Sequence, residues 1–231
     1  MLKCQWCCFF VISLFLPSSA QAQLVADTTL GREQTIINEK SDTFHIEGGS
    51  TRGDNLFHSF EEFNIQRGEQ VYFHSNGAER IFSRVTGSNS STIDGVLGSE
   101  DPTDIFLMNP NGVTFYSNAD LDINGDFFVT TASSLFFDEF EFSADKPSEV
   151  DPLLTVRGDV GFSFSLPPQP ILVKGMGHDL RFLGEPGFST FSNQNTSSVI
   201  TVPAASRLFF LGGDIGFNLR EVDISNQPEQ E

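Results

Sequence analysis

The residues best suited to chemistry are few, and their spacing decides what they could do. Residues 120–126, DLDINGD, open like a calcium loop, with acid or amide side chains at positions 1, 3 and 5 and glycine at 6. Such loops close with a bidentate Glu at position 12 and lie between helices. That position falls on Thr131, and Leu121 and Ile123 alternate as in a strand. The stretch therefore reads as a strand with solvent-facing aspartates running into an Asn-Gly turn, and any calcium there is expected to be loose. His45, His58, His74 and His178 share no metal or nucleophile spacing and sit in or beside apolar runs, so they read as structural histidines. There is no G-x-S-x-G segment, which removes the serine-hydrolase elbow. Carboxylate pairs such as Glu61-Glu62 and Asp138-Glu139 are expected by chance among 31 acidic residues. No catalytic, cofactor-binding or metal-binding set is expected, and the chain does not read as an enzyme.

The segment that stands out is a corner. In FLMNPNGVTF, residues 106–115, Asn109, Pro110, Asn111 and Gly112 separate two short apolar runs. Proline presets φ for the second turn position, and Asn and Gly tolerate the positive φ of tight corners. On this evidence the corner suits a hairpin tip, an active-site loop or one bend of a repetitive fold.

Residues 1–22 read as a secretory signal peptide. Lys3 precedes the apolar run CCFFVISLFL, and Ala20-Gln21-Ala22 supplies the small-x-small cleavage pattern. The run is too short to span a bilayer. Cleavage after Ala22 leaves a mature chain from Gln23 with no cysteine, since Cys4, Cys7 and Cys8 all lie upstream. Such a chain cannot be locked by periplasmic oxidation before threading through a pore. Its charge is 12 basic minus 31 acidic residues, or −19, once Lys3 is removed. That surface disfavours nucleic acid and anionic lipid. No later segment suits a membrane-crossing helix, so no membrane insertion of the mature chain is expected. Disorder is equally disfavoured, because 25 phenylalanines leave too much apolar surface to stay solvated.

The elements that position the corner are short alternating runs ended by Gly, Pro, Asn, Asp or Ser, among them VYFHS (71–75), IFSRVTG (81–87), GVTFYS (112–117) and PILVKG (170–175). Runs of this length and spacing mean an all-β protein. Sandwich, barrel and β-helix all fit, and the Gly-polar corners after very short strands lean toward the β-helix. One segment breaks the pattern: in NLFHSFEEFNI (55–65), Leu56, Phe60 and Phe63 have helix-like spacing, which suits a short helical turn or a covering loop. The Pro-rich stretches 145–152 and 163–171 read as loops, and 223–231 as a polar tail. With no linker visible, residues 23–222 form one domain. The sequons at Asn89 and Asn195 matter only in a eukaryotic secretory pathway.

The order of motifs carries a resemblance. GGSTRGDNLFHSFEEFNI (48–65), VYFHSNG (71–77), RVTG (84–87), FLMNPNGVTF (106–115), ADLDINGDFFVTTASSLFF (119–137) and GGDIGF (212–217) resemble the filamentous-haemagglutinin N-terminal domain. That is the secretion domain of two-partner-secretion exoproteins of Gram-negative bacteria, and the fuller LFHSF-x-x-FN form is most like cyanobacterial members. The resemblance implies a right-handed single-stranded parallel β-helix with a capping end and extra-helical strands. It also implies export through the periplasm to the cell surface or medium, with an outer-membrane transporter whose periplasmic domains recognise the chain. The exoproteins act as adhesins, haemagglutinins, cytolysins or contact inhibitors, which makes a host-cell or surface glycan a candidate ligand.

By the same resemblance Asn109, Pro110, Asn111 and Gly112 form the secretion motif, and the opening corner becomes a β-helix bend. The family's second, upstream motif falls on SNSSTI (88–93), where Asn89 remains and the proline is absent. Tyr116 stands where the family shows glycine and would be strained if that position holds a positive φ. The chain ends at Glu231, about where a family member begins its passenger, as expected of a truncated exoprotein or a minimal secreted one. The alternative reading is a stand-alone secreted β-helix that binds or cleaves polysaccharide.

Overall fold

A computed structural model of the protein describes residues 24–137, 140–147, 160–165, 167–174 and 206–218. The expected signal peptide with Ala20 and Ala22, His178, the Asp138-Glu139 pair, the Asn195 sequon and the polar tail lie outside these residues. Every regular element described is a strand. The chain enters through β1 (Leu24–Ala26) and β2 (Thr35–Lys40), and a first coil follows with β3 (Thr43–Gly48), β4 (Ser50–Arg52) and β5 (Asn55–Phe63). The second coil carries β6 (Gln70–Phe73), β7 (Arg80–Val85) and β8 (Ser91–Ile93), and the third β9 (Val96–Ser99), β10 (Asp104–Met108) and β11 (Val113–Phe115). In the fourth, β12 (Asp120–Asp122) and β13 (Phe127–Thr130) are followed by an excursion, β14 (Ser134–Phe137), β15 (Phe140–Ser143) and β16 (Gly161–Ser163). The chain returns as β17 (Ile171–Lys174), and β18 (Leu208–Leu211) and β19 (Ile215–Asn218) add a further rung.

Like faces of successive coils pair in parallel. One sheet is β3-β6-β9-β12, a second β5-β7-β10-β13-β18, and a third β8-β11-β17-β19. This is a parallel β-helix, as the resemblance implied. Registered partners Leu56, Ile81, Ile105 and Phe127 set coil lengths of 25, 24 and 22 residues, an uneven period that explains the weak repeat in sequence. Parallel registry stacks like side chains inside: Val71, Leu97 and Leu121 along the first sheet, Ile93, Phe115 and Val173 along the third, all buried. Each buried aliphatic or phenylalanine side chain contributes about 1.5–3 kcal/mol.

The first rung is covered. β2 runs antiparallel to β3, while β1 and β4 run antiparallel to consecutive parts of β5, so the starting edge offers few free backbone groups to another chain. Outside the second sheet, Phe57, Phe82, Phe106, Phe128 and Phe209 form a registered ladder. Phe106 and Phe128 stack at 4.2 Å and 2°. The excursion folds back as the antiparallel sheet β15-β14-β16 over the buried end of this ladder, with Phe142 and Phe137 edge-on to Phe57 at 5.0 and 5.7 Å.

Two expectations change. Residues 55–63 are a strand, not a helical turn or covering loop. Asn55 to Phe60 are buried on both faces, inward on the coil core and outward under the excursion, so no polar alternation marks the strand. Pairing with β1 then skips a residue at Glu61, since Val25 faces Glu62 and Ala26 faces Phe60. That bulge returns Phe63 to the core side and produces the helix-like spacing of Leu56, Phe60 and Phe63. Tyr116 is unstrained: it is absent from the non-glycine residues with positive φ, lies 39% exposed, and carries the Lys174 ammonium 5.5 Å over its ring. In the stretch 120–126, Leu121 lies inside and Asp120 and Asp122 in solvent, as expected, while Asp126 is buried and pairs with Arg207.

Candidate functional site

The Asn109–Gly112 corner joins β10 of the second sheet to β11 of the third. Met108 and Val113 are buried on either side of it, so the chain must turn sharply while both ends stay in the core. The Gly112 N–H donates to the Asn109 carbonyl at 3.1 Å, closing the turn around Pro110 and Asn111. Gly112 has φ +104°, and a Cβ there would lie 3.0 Å from the Pro170 carbonyl. Only glycine meets both conditions without strain.

Asn109 is completely buried and its amide is used on every side. Its Nδ2 donates to the Asn89 carbonyl at 3.0 Å and to Ser91 Oγ at 2.9 Å. Its Oδ1 accepts the Asn111 backbone N–H at 2.9 Å, an Asx turn that fixes the bend. Asn111 is half-buried, and its Nδ2 donates to the Gly87 carbonyl at 2.8 Å. Asn89 is exposed, reaches Glu62 Oε1 at 2.5 Å, and meets the main corner only through its backbone. The two corners expected to be separate motifs are thus one stacked structure. Gly87 packs so close to the Glu61 carbonyl that any Cβ would overlap it.

Pro110 and Asn111 line an open groove of about 380 Å³, together with Thr86 and Gly87 from the corner above and Asp145 and Pro147 from the excursion. Behind it, Arg84 is fully buried. Its guanidinium donates to Ser59 Oγ at 2.9 Å, the Ser143 carbonyl at 3.0 Å and Thr29 Oγ1 at 2.7 Å, and lies 4.4 Å over the Phe142 ring. Asp27 sits alongside, accepting from Thr86, Thr29 and Ser59. Burial raises the Asp27 carboxyl, but those donors together outweigh it and leave it below the ordinary range. Burial lowers the Arg84 guanidinium to about 10, against the attraction of Asp27. One network therefore ties the entry strand, two coils and the excursion to the groove wall. The RVTG residues held no assigned role in sequence, because the partners of Arg84 lie 25 to 59 residues away.

Sequence spacing also missed a grouping of histidines. His45 in β3 and His74 after β6 meet on the outer face of the first sheet, with His45 Nδ1 3.2 Å from His74 Nε2 and 3.0 Å from Glu100 Oε1. Their separation of 29 residues is about one coil, a signal visible only once the period is known. His58 is a structural histidine, fully buried, with Thr35 Oγ1 3.3 Å from its Nδ1. Desolvation lowers its imidazole to about 3. Glu61 and Glu62 lie at the bulge between the two inward residues Phe60 and Phe63, and Glu62 Oε1 accepts from Asn89 Nδ2.

Among known proteins, the heme/hemopexin-binding protein of Haemophilus influenzae is 32% identical over 104 residues, 45% of this chain and a tenth of that relative's length. A crystal structure of a filamentous hemagglutinin secretion domain aligns with 66% of this chain and 50% of its own, at 16% identity and a TM-score of 0.46. Residues 22–230 match the family model of the TPS secretion domain. The chain belongs to that family, the domain through which two-partner-secretion exoproteins use a dedicated outer-membrane transporter to reach the cell surface or the medium.

Proposed function

We propose that this chain is the targeting module of an adhesin-type exoprotein. Its own transporter recognises it in the periplasm through the region of the Asn109–Gly112 corner. The observation that supports this reading is a division of labour within one turn. Asn109 is consumed in building the bend, while Pro110 and Asn111 present part of their surface to the groove. A cysteine-free, acidic chain delivered behind a signal peptide remains unlocked in the periplasm. The transporter's periplasmic domains bind it by pairing with a strand edge. Coils then gain burial only as neighbours stack on them, so folding outside the cell opposes return through the pore. The exoprotein's ligand at the surface is a host-cell or surface glycan, and the domain itself performs no catalysis.

The test is export of the tagged chain from cells with and without the matching transporter. Release into the medium that needs the transporter, and that Asn111→Ala abolishes while the purified variant keeps its fold, supports the proposal. Transporter-independent release, or retention of the unaltered chain in both strains, refutes it.

A further inference from the structure

We infer that His45, His74, Glu100 and Glu47 form a binding site for a divalent transition ion of the zinc type on the outer face of the first sheet. Four donors come from three successive coils. His74 N–H donates to the Ile46 carbonyl at 3.0 Å and Glu100 N–H to the Phe73 carbonyl at 3.2 Å, so Glu47, His74 and Glu100 continue the strand registry in one column. His45 lies two residues before Glu47 and therefore shares its face. Ile46 and Phe73 between them are buried in the core, which anchors the backbone of the site.

The distances suit a small tetrahedral ion. Donors around zinc at about 2.0–2.1 Å are separated from one another by about 3.3 Å. His45 Nδ1 is 3.2 Å from His74 Nε2 and 3.0 Å from Glu100 Oε1. Glu47 Oε1 lies 3.8 Å from His74 Nε2 and completes the set after a small side-chain shift.

The surroundings orient these donors. Glu100 Oε2 is 3.1 Å from His74 Nδ1, so its carboxylate lies against both imidazoles. Asn38 Nδ2 donates to Glu47 Oε2 at 2.9 Å, leaving Oε1 to face the site. Two imidazoles with carboxylates select zinc, cobalt, nickel or copper over the all-oxygen preference of calcium and magnesium. The ligands are part-exposed, which leaves the ion a way in. The site is remote in sequence from the Asn109 corner and does not depend on that corner's role.

Titration of the tag-free chain with Zn2+, followed by calorimetry and thermal unfolding, tests the inference. We expect one ion per chain, a rise in unfolding temperature with Zn2+ but not with Ca2+, and loss of both effects in His45→Ala and His74→Ala. Asn38→Ala should weaken binding about 10-fold. Co2+ added to the unaltered chain should give the intense visible absorption of tetrahedral cobalt, a readout independent of how the variants fold. Absence of stoichiometric binding, an octahedral cobalt spectrum, or binding that survives removal of both histidines would overturn it.

Discussion

Replacing Asn109 with alanine should unfold the corner from within. The buried side chain makes three short hydrogen bonds, to the Asn89 carbonyl, Ser91 Oγ and the Asn111 N–H, beside a longer one of 3.3 Å from Asn111 Nδ2. At about 1 kcal/mol each, their loss costs about 3 kcal/mol. Asn111→Ala removes the bond to the Gly87 carbonyl and the longer one to Asn109 Oδ1 from a half-buried position and costs about 1 kcal/mol. With a urea dependence of about 2 kcal/mol per molar, the midpoints should fall by about 1.5 M and 0.5 M. The sole tryptophan, Trp6, lies in the expected signal peptide, so far-ultraviolet circular dichroism is the suitable probe. A loss below about 0.5 kcal/mol for Asn109→Ala, or equal losses for the two variants, would refute the assignment of Asn109 as the side chain that holds the bend. The gap between them also serves the export assay, because Asn111→Ala probes the groove at little cost to the fold.

Other positions give equally direct expectations. His58 is neutral when folded but takes a proton when unfolded below its ordinary value of about 6.5. Stability should therefore fall as pH drops from about 6.5 toward 3, by about 2 kcal/mol at pH 5; urea midpoints at pH 7 and 5 should differ in the parent and converge in His58→Leu. Asp27, with its depressed carboxyl, adds its own loss only as pH falls below its ordinary value of 3.8, beyond the pH 7-to-5 comparison. Phe82→Ala, between Phe57 and Phe106 in the ladder, should cost about 3–5 kcal/mol. Phe209→Ala, 37% exposed at the ladder's other end, should cost far less, and similar urea midpoints for the two would refute the packing account. Arg84→Ala leaves buried hydrogen-bond acceptors from three segments and should cost about 3–5 kcal/mol. Arg84→Lys should not restore it, because an ammonium cannot reach Ser59, Ser143 and Thr29 together; thermal unfolding of both variants checks this.

What was legible in the sequence was whatever depends on neighbours along the chain. Short strands, the Asn-Pro-Asn-Gly bend and the strand nature of Asp120–Asp122 follow from local alternation and turn chemistry. What depends on stacking was not. The strand at Asn55–Phe63 was obscured because both its faces are buried and a bulge shifts its parity. Arg84 drew no reading as a buried cation, since nothing local announces that Thr29, Ser59 and Ser143 converge on it. His45 and His74 looked isolated, because a coil that shortens from 25 to 22 residues leaves no fixed spacing to detect.

The corner itself combines both kinds of information. Its bend is local, and its side-chain bonds reach upstream, from Asn109 to Asn89 and Ser91 and from Asn111 to Gly87. Its backbone bonds reach downstream as well, from Asn109 N–H to the Thr130 carbonyl and from Val113 N–H to the Pro170 carbonyl. Between Thr130 and Pro170 the chain makes the whole excursion that walls the groove and covers the phenylalanine ladder. The turn can therefore be seated by residues already present when it forms, yet is closed only after the excursion has folded back and β17 has returned. The Asn109–Gly112 bend is thus both a local turn and the point where completion of the fourth coil is registered. For that reason, substitutions at Asn109 and Asn111 must be separated by stability before either is read as a recognition defect.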